Sequence, residues 1–473
     1  MQLLDLSSNK QLTGPIPSEL GKLLRLVFLF LETNELTGTV PTTFKNLKQL
    51  QKLCLSGNGL PGAVPSDVLG SWTLISDRGL SWNRLSGSIS SSIENKFSGS
   101  LPSSIGSLSN LQRLYLQDNE LSGELPAALG NLTSLTDLGI FGNEFTGTIP
   151  ARLGNLANLR NEFTGTIPAR LGNLANLQAL YLSCNKLSSP IPSQLAKLQN
   201  LQILDLSFKP LKLMTIPTWF SQLRLFQLLL AGTGLRGRLP IWLSSANSVS
   251  TLDLSSNELR GPLPGWIGNI SGLALLNLSS NYFSSIPVKF RNLALLADLD
   301  LHSNNFSGGL ILLKSTDEPL GHYNSIDLSG NSFTGQINDT IGNLPVMSPL
   351  SSLILSDNPL GGVIPPSIGN LSSLQVLKLS NNRLSGSIPA ELGNTQELTT
   401  IVLSKNRLSR SIPAEELDLP NLQVFDVSDN MMTGTILAHN ASIPASFFAG
   451  NPGLCGSPLP PRKAQRSRDA IVM

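Results

Sequence analysis

The sequence predicts a stacked repeat array, a solenoid with short parallel β-strands along one wall. Three observations predict it. First, the stretch Leu374–Glu397, LQVLKLSNNRLSGSIPAELGNTQE, sets Leu374, Leu377 and Leu379 in an LxxLxL frame, followed by Asn382, Leu384, Gly386, Ile388 and Pro389. Second, the frame returns at Leu53-Leu55-Asn58, Leu114-Leu116-Asn119, Leu180-Leu182-Asn185 and Leu252-Leu254-Asn257. Third, counted by that asparagine from Asn9 to Asn430, eleven of eighteen intervals are 24 residues. A period of about 20–29 residues marks units that bury their apolar faces against one another.

Each element of the unit has a physical reason. The alternating leucines of LxL point inward and the residues between them outward, the period of a strand. Every coil returns to the same place, so the strands stack as a parallel sheet about 4.8 Å apart. The inward asparagine sits where the chain leaves the strand, and its amide both donates and accepts. It is expected to satisfy backbone groups of its own coil and the next, which burial would otherwise leave unpaired. Lys209 and Thr233 replace it in two adjacent units. Gly386 allows a turn that a side chain would obstruct, and Pro389 fixes the backbone where no donor is needed. Leucines in segments such as Ala390-Glu391-Leu392-Gly393 close the convex side.

Length alone, 473 residues, suggests about three domains, but an array grows in one dimension and has no single core to saturate. Lys and Arg number 33 against 31 Asp and Glu, a formal charge of +2, which gives no electrostatic footprint for nucleic acid or an anionic membrane. Charged residues are only 14% of the chain, against about 25% in typical proteins, so Ser, Asn, Thr and Gln supply the surface polarity. Cys54, Cys184 and Cys455 are widely separated and odd in number, which is no disulfide framework. Apolar runs such as Leu26–Leu31 are far too short to span a bilayer. Met1 is followed at once by QLLDLSSN, already a repeat, so no secretory leader is expected and the first strand starts without a cap. Uncapped solenoid edges are sticky. The polypeptide 1–473 is therefore expected to self-associate, and a monodisperse, cooperatively melting monomer in size-exclusion chromatography and calorimetry would contradict this.

Departures from the period are informative. Asn83 to Asn95 spans 12 residues, with no strand frame between them, and Asn143 to Asn161 spans 18. Asn143–Leu159 and Asn161–Leu177 share the identical text NEFTGTIPARLGNLANL, a duplication six residues short of a unit. Both sites are expected to interrupt the sheet, leaving about seventeen strands for nineteen marks. The intervals ending at Asn331 and Asn358 are each 27, so Ile311–Tyr323 and Leu344–Leu350 should bulge.

The pattern LxxLxLxxNxLxGxIPxxLGxL resembles the plant-specific class of leucine-rich repeat found in extracellular parts of receptor-like kinases and receptor-like proteins. The resemblance covers roughly Leu3 to Ile436. It implies a right-handed superhelical solenoid of the α/β horseshoe class with a concave parallel β-sheet. The expected organisation is repeats over 1–436, about 17–19 units of ~24 residues with truncated units near 83–95 and 143–161. A cap-like segment over 437–461 and a disordered basic tail over 462–473 follow. Phe447, Gly450-Asn451, Gly453-Leu454-Cys455-Gly456 and Pro458-Leu459 resemble the family's C-terminal cap. There the family pairs the cysteine with a second one a few residues on, where this chain has Pro460, Pro461 and Arg462.

No enzyme site emerges. His302, His322 and His439 form no recognised metal or nucleophile spacing, although His302 lies near Asp298 and Asp300. Phosphate-cradling and kinase motifs are lacking, and no cofactor or metal is expected. The outward positions around the strands are the place for a ligand. Between Asn119 and Lys209 they carry Arg113, Tyr115, Gln117 and Asp118, then Asp137 and Phe141, then Tyr181 and Ser183, then Asp205 and Phe208. In a chain with 5% aromatic residues, four aromatics flanked by polar groups suit interface anchors. The alternative is that single exposed aromatics are ordinary. A second column, Asp253, Asn277, Asp300 and Asp327, would favour a basic partner or a cation, or is simply the common wording of the repeat. Seven N-x-[ST] sequons, at Asn131, Asn269, Asn277, Asn305, Asn338, Asn370 and Asn440, matter if the chain is extracellular.

The resemblance implies extracellular or plasma-membrane-facing recognition of a peptide or protein, in signalling or defence, with a co-receptor as a further partner. Two other classes stay open: a secreted inhibitor of a microbial wall-degrading enzyme, and a structural or adhesive wall protein. The inhibitors are shorter arrays capped at both ends, and an adhesive protein would show no saturable small partner.

Overall fold

The computed structural model describes all residues except 10, 63, 73, 82, 86–100, 102, 117–118, 133, 135–136, 141–142, 150–162, 174–176, 184, 188–189, 209–210, 311–321, 438–442 and 460–473. Asn95, Asn161, Cys184, Lys209 and the basic tail therefore lie outside the described residues. The chain divides into two compact units, 1–236 and 237–473.

In the first unit the ladder strands are β1 Leu3–Asp5, β2 Phe28–Phe30, β3 Lys52–Cys54, β4 Asp77–Gly79, β5 Arg113–Tyr115 and β6 Asp137–Gly139, forming one parallel sheet in chain order. A further run holds β7 Ala179–Tyr181, β8 Ile203–Asp205 and β9 Gln227–Leu229. The second unit stacks β10 Thr251–Asp253, β11 Leu275–Asn277, β12 Asp298–Asp300, β13 Ser325–Asp327, β14 Ser352–Ile354, β15 Val376–Lys378, β16 Thr400–Val402 and β17 Val424–Asp426, again parallel and in chain order. Seventeen ladder strands thus lie among the described residues. Register is fixed by the leucine frame: Leu377 pairs Leu353 on one side and Ile401 on the other. Each of these middle residues is 0% exposed, whereas their strand neighbours face out.

The rungs work as the sequence suggests, with one correction: where a rung asparagine such as Asn382 or Asn406 bonds a second coil, it is the preceding one, not the next. Asn382 Nδ2 donates to Leu379 O of its own coil (3.1 Å) and to Leu355 O of the coil before (3.0 Å). Its Oδ1 accepts the Leu360 N–H at 3.1 Å. Direction follows from position: the amide leaves the strand end pointing at the loop just laid down. Thr233, fully buried, keeps part of the job by donating its Oγ1 to Leu230 O at 2.8 Å.

The residue before the rung takes a left-handed conformation in coil after coil, as at Ser256, Ser280, Ser303, Asn381 and Asp429. On the convex side the repeat proline caps a short 3-10 turn; after Pro389 this is Ala390–Asn394, with Leu392 N–H donating to Pro389 O at 3.1 Å. Beneath lie the inward leucines, and in three successive coils a spine of Phe283, Phe306 and Phe333, ring centroids 6.1 Å apart.

The short interval near Asn83 does not interrupt the sheet, contrary to expectation. β4 pairs directly with β5, and Asn119 acts as the next rung, donating to Leu80 O (3.0 Å) and accepting from Leu85 N–H (2.9 Å). The ladder needs only a strand and a rung from each neighbour, and Arg113–Tyr115 and Asn119 supply both. At the duplicated text the outcome differs. Among the described residues the first sheet ends at Gly139 and the next begins at Ala179. Phe145 and Phe163 still stack beneath, 6.4 Å apart.

Of the two expected bulges, 311–321 lies outside the described residues. Residues 344–350 form an additional 3-10 turn, Pro345–Met347, with Met347 buried. At the end of the array the cap continues the ladder. Asn451 donates to Val427 O (2.9 Å) and Phe448 O (3.1 Å), a rung the count ending at Asn430 missed. The strand Gly453–Cys455 carries a free, half-buried Cys455 whose Sγ lies 3.5 Å from Gly434 O. At the first strand Leu3 and Leu6 are 54% and 37% exposed.

Candidate functional site

The three-residue strands decide what a ligand would meet. With the middle residue buried, the first and third face outward, and stacking turns them into columns about 4.8 Å apart. Along the third-residue column of the second unit stand Asp253, Asn277, Asp300, Asp327, Ile354 and Lys378.

The acidic members have a structural task. Asp327 Oδ1 accepts the Ser329 N–H (2.9 Å) and hydroxyl (2.6 Å), tying the strand end to the turn. Asn277 does the same toward Ser279 (3.0 and 2.7 Å), and Asp426 toward Ser428 (2.9 and 2.7 Å). At Asp300 the serine is replaced by His302, whose N–H donates at 3.0 Å and whose Nδ1 lies 2.7 Å away. The repeated wording LDLSSN is thus a local hydrogen-bonding device. At each aspartate these bonds fall on one carboxylate oxygen, Oδ1.

Asp300, His302 and Asp327 bring three donor atoms within 4.8 Å of one another. The sequence placed Asp298 and Asp300 beside His302, and set Asp327 of the next coil in the same outward column as Asp300, without joining the two groups into one site. Around them Leu275, Asn277, Asp298, Ser325 and Ile354 help line a cleft of about 300 Å³.

In the first unit the residues named from sequence are scattered in accessibility. Arg113 is exposed, and Tyr115 and Tyr181 are half-buried. Burial, then the neighbouring Asp205 carboxylate, raise the Tyr181 phenol above its ordinary pKa. Ser183, expected to face outward, is 1% exposed, and its Oγ finds no partner among the described residues; the chain has turned inward there to reach the rung. Asp205 is buried too, accepting from Ser207 N–H at 2.9 Å. Phe208 is 58% exposed with φ 53°, a backbone region bulky residues seldom enter. A side chain at Gly232 would press on its ring at 3.1 Å. Asp137 begins β6, while Gln117, Asp118 and Phe141 lie outside the described residues. Among the described residues the strands that carry this surface belong to two sheets, one ending at Gly139 and the other beginning at Ala179.

Among the sequons, Asn131, Asn269 and Asn370 are exposed and close equivalent 3-10 turns. Asn305 is exposed and Asn338 half-buried. Asn277 lines the cleft, where a sugar would fill it. Asn440 and His439 lie outside the described residues, and His322 is exposed. No helix among the described residues is long and apolar enough to cross a membrane.

A solenoid of this period, rung and parallel sheet defines a leucine-rich-repeat protein, and the chain belongs to that family. A leucine-rich repeat region matches residues 92–262 and leucine rich repeats match 247–306, 324–344 and 348–408. The fold is that of plant receptor ectodomains. The leucine-rich-repeat ectodomain of the Arabidopsis thaliana receptor kinase GASSHO1/SCHENGEN3, solved with CASPARIAN STRIP INTEGRITY FACTOR 2, is 30% identical with a TM-score of 0.63. That match covers 98% of this chain, which spans 60% of that ectodomain. The Arabidopsis receptor kinase HAESA, solved with the peptide hormone IDA and the co-receptor SERK1, is 29% identical, TM-score 0.55, covering 96% of this chain and 82% of that one. A leucine-rich-repeat protein of Leptospira interrogans is 28% identical, TM-score 0.60, covering 89% and 95%. No curated protein sequence matches the chain.

Proposed function

We propose that the chain is an extracellular recognition module that binds an extended peptide, or a peptide-like segment of a protein, across its sheet. In this reading it is a receptor-type ectodomain in signalling or defence, not an enzyme. The observation that carries it is the sheet face of the second unit, eight strands in unbroken register whose outward columns vary in chemistry while the inward ones do not. An extended peptide crossing such a face meets a new column position at each strand. Its backbone stays free to hydrogen-bond outward-facing side chains. The peptide-bound plant ectodomains among similar structures support the same reading. In the first unit the proposed contacts are Arg113, Tyr115, Asp137, Tyr181 and Phe208, with Gln117 and Phe141 added from the sequence; Ser183, buried, is left out. Glycans at the exposed sequons complete the proposal.

The test is selection of binders from a phage-displayed library of random 12-residue peptides on the immobilised chain. Enrichment of saturable binders is expected, and none would overturn the reading. Tyr115→Ala and Tyr181→Ala should each weaken a selected peptide about tenfold, the scale of an aromatic anchor. Unchanged affinity in both removes the first-unit residues from the groove.

A further inference from the structure

From the charge order on the second unit's sheet we infer the chemistry of the peptide: a Lys or Arg seated in the Asp298–Asp300–Asp327 cleft and an acidic group three to four residues away over Lys378. The inference rests on the peptide-binding reading above and deepens it.

The cleft is amphipathic. Its carboxylates come from Asp298, Asp300 and Asp327 on β12 and β13, and its apolar walls include Leu275 and Ile354. That combination suits a long side chain with a cationic head, whose methylene stem covers apolar surface while its head meets the carboxylates. Asp298 accepts only from the neutral Asn324 amide, at 3.2 Å, and Asp327 only from Ser329 among the described residues. Neither is paired with a cation there, so the cleft holds three carboxylates, of which Asp300 lies 2.7 Å from the His302 imidazole. Like charges packed this closely favour an incoming cation.

The next strands set the register. β14 presents Ile354 and β15 presents Lys378, half-buried and without an ion-pair partner among the described residues. From the β12–β13 carboxylates to Lys378 is two to three strand spacings, roughly 10–14 Å at about 4.8 Å each. An extended peptide advances about 3.3 Å per residue, so three to four residues separate a cation in the cleft from an anion over Lys378. Between them Ile354 favours an apolar side chain.

The experiment uses the peptides selected on the full chain. Expected is a shared basic residue and an acidic residue or terminal carboxylate three to four positions apart. Exchanging the basic residue for Gln should weaken a synthetic consensus peptide about tenfold. Asp300→Asn/Asp327→Asn should weaken the parent peptide equally, yet leave the Gln peptide unchanged, a double-mutant coupling that a folding defect would not reproduce. Lys378→Ala should do the same against the acidic position. Binders lacking the charge pair, or additive losses without coupling, overturn this inference and leave peptide recognition standing. A library that yields no binders removes both.

Discussion

Asn406→Ala is expected to destabilise the array by about 3 kcal/mol, combining one buried orphan donor with two lost hydrogen bonds. Asn406 Nδ2 donates to Leu379 O at 2.9 Å and Leu403 O at 3.0 Å, and its Oδ1 accepts the Leu384 N–H at 3.0 Å. Each of those carbonyls is shared with an adjacent rung, Leu379 O with Asn382 and Leu403 O with Asn430. The carbonyls thus lose one partner of two, while the buried Leu384 N–H loses the one that reaches it from the next coil. Asn406→Asp should cost more, because a carboxylate would face two carbonyl oxygens with no donor. Asn421→Ala removes one exposed bond to Gln396 O at 3.1 Å and should change stability by less than about 0.5 kcal/mol. Chemical denaturation ranks the three, and amide exchange localises the effect: Leu384 and its neighbours should lose protection. Equal midpoints for Asn406→Ala and Asn421→Ala would remove the rung from its place in holding the coils together.

Much of this fold was legible because its determinants repeat. The leucine frame and the asparagine mark are local signals, and repetition averages out the exceptions at Lys209 and Thr233. What stayed hidden depends on which coil lies next to which. The direct pairing of β4 with β5 across the short interval was not readable, because Asn95 has the look of a rung while Asn119 fills that place. The rung at Asn451 escaped because its coil lacks the leucine wording; Phe448, three residues before it, held the only signal. The site was less legible still. Outward columns vary by design: the column with Asp300 and Asp327 was readable from the repeat, but it reads equally as common repeat wording, and the cleft that adds Asp298, Leu275 and Ile354 has no signature along the chain. Aromatic content drew attention to the first unit, where the described strands belong to two sheets and Ser183 is buried.

The convex wall makes the other large prediction, from two glycines in one turn. In Gly265–Asn269, both Gly265 and Gly268 occupy helical positions. A methyl group added at Gly265 would meet nothing within 4 Å, whereas one at Gly268 would overlap the carbonyl oxygen of Lys289 in the next coil. The same overlap with following-coil backbone recurs at Gly342 against Ser367 and at Gly369 against Glu391. These glycines therefore set how closely the coils stack, which their shared sequence context, IGN, does not reveal. Gly265→Ala is expected to be neutral or slightly stabilising, since it restricts the unfolded chain. Gly268→Ala must move backbone, not a flexible side chain, and should cost about 3 kcal/mol or more, the upper range of overpacking. Because β10 to β12 stand on that wall, coil separation would pass to the sheet and widen the spacing of Asp253, Asn277 and Asp300. Thermal melts should separate the two variants by many degrees. Indistinguishable melts would mean the coils are spaced by their side chains and not by this backbone contact.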